Sequence, residues 1–166
     1  LYALILIFIG FSIKAQSDTI CNPSFEDSLI NWGTFCNGNS NGIFSVDSSS
    51  AYSGNLGLKM DLTSISPPSN TCALTSCAVN LQQGKFYMIS FWAKSNSSSD
   101  ILVVLQRTSS PFINYAQKTF TLTSSWKKYE LNTTDTVAVN NLKLKIKPQS
   151  SGIYSFDDFS FYSVTM

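Results

Sequence analysis

An antiparallel β-sandwich is the fold class this sequence predicts, and three observations predict it. Beyond residue 16 no stretch sustains a helical period of apolar residues. Short apolar or alternating runs recur instead, of the length strands use. Clusters of Gly, Pro, Asn and Ser separate those runs, as turns between strands require. No internal repeat is visible and no linker is long enough to divide the chain. With 166 residues, one domain with a real core is expected, as a two-sheet sandwich or jelly roll.

The first segment is set apart from the fold. Residues 1–11 are almost wholly apolar and run into Ser12-Ile13-Lys14-Ala15-Gln16. Eleven residues are too few to span about 30 Å of hydrocarbon. They fit the core of a secretory signal cleaved after the small residue Ala15. The alternative is a buried N-terminal strand or helix. On the export reading, residues 1–15 are an N-terminally incomplete signal peptide and 16–166 the sandwich, secreted or held at the cell surface.

The strands then follow in order. They are expected at 20–26, 43–47, 56–62, 73–82, 86–94, 101–107, 116–122, 126–132, 142–147 and 153–163. Between them stand Asn37-Gly38-Asn39-Ser40-Asn41-Gly42, Ser66-Pro67-Pro68-Ser69-Asn70, Gln83-Gly84, Ser95 to Ser99, and Pro148 to Gly152. The clearest is 86–94. Its alternation puts Tyr87, Ile89, Phe91 and Ala93 on one face, read as core, and Met88, Ser90, Trp92 and Lys94 on the other. In 101–107, Leu102, Val104 and Gln106 oppose Val103, Leu105 and Arg107.

Composition narrows the function. Charged residues make up 13% of the chain, against about a quarter in ordinary domains. Ser, Thr and Asn together supply 54 of the 166 residues. A net charge of +1 argues against a protein that tracks nucleic-acid phosphates. With no histidine, every His-based triad, metal site and general base is excluded. No phosphate loop or nucleophile elbow occurs. Nor are there paired carboxylates in a context suited to glycoside hydrolysis. The chain is therefore read as non-catalytic.

The four cysteines, Cys21, Cys36, Cys72 and Cys77, form an even set suited to disulfides in an exported protein. Sequence proximity favours Cys21–Cys36 with Cys72–Cys77. Yet if 72–77 is one extended strand, its ends lie about 16 Å apart, and a disulfide needs Cα atoms within about 7 Å. Either the chain turns at Leu74-Thr75-Ser76, or the pairs are Cys36–Cys72 and Cys21–Cys77. The spacings do not suit zinc.

Five landmarks occur in order: Asn22-Pro23-Ser24-Phe25-Glu26 followed by Trp32; Tyr52-Ser53-Gly54-Asn55-Leu56-Gly57-Leu58-Lys59; Leu81 to Lys94; Ser125-Trp126-Lys127-Lys128-Tyr129; and Tyr154-Ser155-Phe156-Asp157-Asp158-Phe159-Ser160. Together they resemble the family 4/9/16/22 group of carbohydrate-binding modules, over residues 20–163. The resemblance implies a galactose-binding-like jelly roll with one concave sheet that binds a polysaccharide. It also implies attachment to a glycoside hydrolase or a surface-anchoring domain. It further implies a structural Ca²⁺, held by the carboxylates of Glu26 and Asp157 and by main-chain carbonyls near Ser24 and Asn55. Oxygen donors of this kind suit that ion. An extracellular structural or adhesion module with the same fold is the alternative function.

Sugar recognition needs an aromatic to cover the C–H face of a pyranose and neutral polar groups for its hydroxyl rim. One platform covering ~80 Å² contributes roughly 2 kcal/mol, so weak binding, about μM to mM, is expected. The candidates are Trp92, Lys94, Gln106, Arg107, Phe112 and Tyr115, with Phe35 and Phe44 as further loop aromatics. Trp32 and Trp126 are read as packing. Lys143, Lys145 and Lys147 alternate on one strand face, read as a solvated face, with attraction of an acidic glycan as the alternative.

Overall fold

The computed structural model describes residues 19–65, 71–133 and 137–164. The signal segment, the breaker at 66–70 and Ala15 lie outside these. The fold is all-β, with two antiparallel sheets and one short 3-10 turn, Ser48–Ser50, among the described residues. In chain order the strands are β1 Gly33–Cys36, β2 Asn41–Asp47, β3 Gly57–Ser64, β4 Cys72–Thr75, β5 Val79–Leu81 and β6 Phe86–Ser95. They continue with β7 Ser99–Arg107, β8 Asn114–Leu122, β9 Lys127–Asn132, β10 Val139–Pro148 and β11 Gly152–Val164. One sheet runs β1-β4-β10-β7-β8, with β5 also on β10; it has six strands. The other has five, in the order β2-β3-β11-β6-β9.

Alternation decides which side chains meet between the sheets. Leu58, Met60 and Leu62 of β3 and Tyr87, Ile89, Phe91 and Ala93 of β6 are buried. They face Ile101, Val103 and Leu105 of β7 and Leu142, Leu144 and Ile146 of β10. The core face read from 86–94 is therefore the one observed. In β11 the alternation breaks: Tyr154 and Phe156 are buried, then Phe159 and Phe161. The register against β6 shifts between Asp157 and Ser160, and Asp158 takes φ 49°. A bulge with an αL residue resets the parity, so both aromatic pairs reach the core.

The expected strand at 20–26 is instead a turn-rich loop, and β1 begins only at Gly33. Asn22 explains much of this. Its side-chain amide donates to the carbonyls of Ser28 and Ile30, and its Oδ1 accepts from Asp27 N. Such local bonds compete with a strand ladder, and Pro23 has no N–H to offer one. Phe25, at φ 57°, costs about 1–2 kcal/mol of backbone strain. Its ring is fully buried against Trp32 and Phe159, with centroids 5.0 and 5.8 Å away. Phe159 N donates to Pro23 O, which ties this loop to the last strand.

The expected strand 73–82 is two strands. Ser76 interrupts it by substituting its own groups for the ladder: its N donates to Leu144 O, and its Oγ accepts from Leu144 N at 3.0 Å. The disulfides are Cys21–Cys77 and Cys36–Cys72, with Cα separations of 6.0 and 4.0 Å. Proximity in sequence thus misleads, and the strand-length objection holds. Cys36 and Cys72 are direct cross-strand partners of β1 and β4. Two disulfides fit an exported protein. Among the described residues no helix is long and apolar enough to cross a membrane.

Asp47 ends β2 and caps the 3-10 turn, accepting from Ser49 Oγ at 2.7 Å and Ser50 N at 2.9 Å. The Ser49 hydroxyl chiefly holds its carboxyl below the usual range. A lowered native value means the contribution is present above the ordinary aspartate range and lost as pH falls through that lowered value. Asp47→Ala is expected to cost about 1 kcal/mol at neutral pH. The gap from wild type should narrow in melts taken at pH values progressively below the ordinary aspartate range. A gap independent of pH would show that the carboxylate charge is immaterial.

Candidate functional site

The outward residues of the six-stranded sheet form the first candidate surface. On β10 these are Lys143, Lys145 and Lys147, because Leu142, Leu144 and Ile146 point inward. Lys145 stands opposite Thr75 of β4 and Val104 of β7, and Lys143 opposite Gln106. Val104 stands opposite Gln117 of β8. Thr75, Ala73 and Val104 are buried although they face outward, so larger neighbours rise around them.

A chain of polar side chains crosses this floor. Lys145 Nζ donates to Gln106 Oε1 at 2.6 Å, and Gln106 Nε2 donates to Asn114 Oδ1 at 2.9 Å. Asn114 Nδ2 in turn donates to Gln117 Oε1 at 2.6 Å. Each amide is oriented by its neighbour, which leaves outward hydroxyl partners at defined positions. Beside it lies a hollow of about 550 Å³, lined by Phe35, Thr75, Thr108, Asn141, Lys143 and Lys145 among others. Phe35 is 42% exposed and Phe112, on the β7–β8 turn beside Gln106, is 62% exposed.

The sequence candidates do not share one surface. Gln106 and Phe112 belong to the face just described. Arg107 sits across from Gln106 in alternation and borders a separate cleft with Ser109, Tyr115 and Asn140. Tyr115 is 8% exposed and packs in the core, because its strand position points inward. Trp92 and Lys94 lie on β6, in the other sheet. One face of Trp92 is covered by Tyr52, stacked at 3.8 Å and 12°. Tyr52 in turn meets Trp126 edge-on, and Lys94 Nζ lies 4.8 Å over the Trp126 ring. Trp126 is thus an outer-face residue of the five-stranded sheet rather than part of the core. Phe44 is half-buried against the core, and Trp32 is buried, its Nε1 donating to Asn22 O. The pattern gave no sign of the amide relay, because Asn114 and Gln117 stand on a strand other than that of Gln106.

Three of the four residues of the calcium expectation, Glu26, Asn55 and Asp157, meet around one turn, and Ser24 lies two residues before Glu26 in the same loop. Asp157 Oδ2 accepts from Tyr52 N at 2.7 Å and Ser53 N at 3.1 Å, while its Oδ1 accepts from Asp158 N. Burial pushes its carboxyl above the usual range, against the pull of those three N–H groups. Glu26 Oε1 accepts from Leu56 N and Asn55 N, which hold its carboxyl below the usual range. Gly54 lies between them at φ +65°, and a Cβ there would strike the Glu26 carboxylate. Asp158 accepts from Ser53 Oγ. The donor set is hard oxygen throughout, as Ca²⁺ requires. Among the described residues no three acidic, thiol or imidazole side chains form a metal cluster by themselves, so main-chain carbonyls would have to complete a shell.

Comparison with known proteins follows the same lines. The family model described as "Carbohydrate binding domain" matches residues 17–152. No curated protein matches. Among solved structures, a family 4 carbohydrate-binding module superposes with a TM-score of 0.69 at 19% identity, over 87% of this chain and 99% of its own. The xylan-binding CBM22-1 domain of Paenibacillus barcinonensis Xyn10C gives 0.57 at 16% identity, covering 81% and 87%. The CBM22-1–GH10 modules of Clostridium thermocellum xylanase 10B, complexed with xylohexaose, give 0.60 at 18%, covering 91% and 29%.

Proposed function

As the chain belongs to the carbohydrate binding domain family whose model spans most of it, we propose that it is an exported, non-catalytic module that holds a polysaccharide on the outward face of its six-stranded sheet. The observation that carries this is the relay from Lys145 through Gln106 and Asn114 to Gln117, beside an open hollow with an exposed phenyl ring. Phe35 offers the apolar platform and the relay offers oriented donors and acceptors for the hydroxyl rim. Hydrolysis would need two carboxylates about the scissile bond, and the outward positions of this sheet present Asp100, itself bonded by Thr121. Kinship with modules attached to glycoside hydrolases supports a targeting role for an attached enzyme or a surface anchor.

Affinity electrophoresis through gels containing soluble polysaccharides tests the reading. Gln106→Ala is expected to weaken retardation about tenfold, the equivalent of one or two lost hydrogen bonds. Trp92→Ala should leave retardation intact while lowering stability by about 1 kcal/mol through loss of the Tyr52 stack. The reverse outcome would move the site to the five-stranded sheet.

The proposal includes Ca²⁺ at the turn gripped by Glu26 and Asp157, with carbonyls of Ser24 and Asn55. When bound, the ion would offset the desolvation of Asp157 and join the N-terminal loop to β11. Added Ca²⁺ at a hundred times its Kd is expected to raise stability by about 2.7 kcal/mol. Thermal melts with calcium and with chelator check this; coincident midpoints would remove the ion from the description.

A further inference from the structure

The chain is nearly neutral overall, with 11 Lys and Arg against 10 Asp and Glu, but the two sheets divide that charge unequally. The strands of the six-stranded sheet carry Arg107, Lys118, Lys143, Lys145 and Lys147 against Asp100 alone. Those of the five-stranded sheet carry Lys59, Lys94, Lys127 and Lys128 against Asp47, Asp61, Glu130, Asp157 and Asp158. The excess cations are not scattered. Three occupy successive outward positions of β10, an interior strand, on the face that bears the amide relay.

Among the described residues these lysines have no carboxylate partner. The salt bridge found among the described residues joins Lys128 to Glu130, on the other sheet. Asp100 is engaged by the Thr121 hydroxyl at 2.6 Å. Lys145 makes its contact with a neutral amide oxygen, and burial, with Lys147 and Lys143 to either side, lowers its pKa. Three like charges on alternate positions of one strand repel one another, and a folded domain gains nothing from that arrangement by itself. An anion laid along the strand would relieve it.

We infer that the outward face of the six-stranded sheet recognises an anionic polysaccharide, one that presents carboxylate or sulfate groups to Lys143, Lys145 and Lys147 while Gln106 and Asn114 meet its hydroxyls. This rests on the proposed placement of the glycan on that face. An ammonium is a compact point charge that serves either anion. The positive field of this sheet also raises the rate of encounter with an acidic polymer, and salt screens it.

The test compares native-gel retardation by polygalacturonate, a sulfated galactan, neutral xylan and a neutral β-glucan. Retardation by one or both acidic polymers is expected, at least about tenfold stronger than by the neutral ones. It should fall at least about tenfold between 50 and 500 mM NaCl, as counterion release demands. The polymer that is retained distinguishes carboxylate from sulfate. Lys143→Gln, Lys145→Gln and Lys147→Gln combined should abolish the preference, with an unchanged far-UV spectrum and a melting midpoint no lower than that of wild type. Lys59→Gln, Lys127→Gln and Lys128→Gln combined, the charge-matched control on the other sheet, should not. Equal, salt-insensitive binding to neutral polymers overturns the acidic specificity and leaves the glycan face standing. Failure to bind any of the four, with folding intact, overturns both.

Discussion

Replacing Cys36 and Cys72 together by alanine is expected to cost about 4 kcal/mol, for the bridge closes a long loop of the unfolded chain. Its sequence separation is 36 residues. For a domain of this size the melting midpoint should fall by roughly 8–16 °C. The local consequence matters as much. β1 has four residues and, among the described residues, pairs with β4 alone, so the bridge at Cys36 anchors an edge strand with few other bonds. Phe35 is its neighbour and lines the proposed glycan hollow. Loss of the bridge should therefore weaken polysaccharide retardation even at temperatures where the rest of the sandwich is folded. Thermal melts and affinity gels on the double variant check both parts. A midpoint within about 2 °C of wild type would show that the strand pairing alone holds β1.

Phe91→Ala should be as damaging, at about 3–5 kcal/mol. The ring is fully buried, with Phe120, Tyr129, Phe156 and Phe159 at centroid distances of 5.9, 5.8, 6.3 and 5.4 Å. It joins β6 to its neighbours β9 and β11 and to β8 across the sandwich. Truncation leaves a cavity that four rigid rings cannot collapse into. Phe91→Leu keeps most of the volume and should cost under about 2 kcal/mol. Urea denaturation of the two variants separates these outcomes. Equal losses would mean that the ring contacts, rather than the filled volume, carry the energy.

Much of the sandwich was legible because a strand buried on one side writes its burial into alternate residues. Phe86 to Lys94 shows this plainly, and its inward set is the observed one. Where local side-chain bonds or a bulge alter the backbone, the same reading fails. Residues 20–26 looked extended until Asn22 turned the chain on itself. In β11 the three-residue step from Phe156 to Phe159 was a visible sign of the bulge, since strict alternation would have put one of them in solvent. The cysteine pairing stayed open for a different reason: it depends on which strands are neighbours, and β1 reaches β4 only after two intervening strands have gone to the other sheet.

The candidate site was legible in its parts but not in its grouping. Gln106, Phe112 and the three β10 lysines could each be assigned a strand or turn. That Gln106 lies between Lys145 and Asn114 depends on the order β10-β7-β8 and its register. Trp92 and Lys94 had the right chemistry for a sugar, but lie on the opposite sheet, where Tyr52 takes up one indole face.

The amino-acid sequence by itself determined the all-β class, the faces of the regular strands, the carbohydrate-binding family likeness and the even cysteine set. Each of these is carried by residues adjacent in the chain or by motifs in linear order. Only the tertiary structure decided the disulfide pairing, the loop that replaces the first expected strand, and which polar groups and lysines share a surface. The pairing and the shared surface are relations between residues mostly tens of positions apart, selected by the order and register of the strands. The loop follows instead from the bonds of Asn22 to residues five to eight positions on.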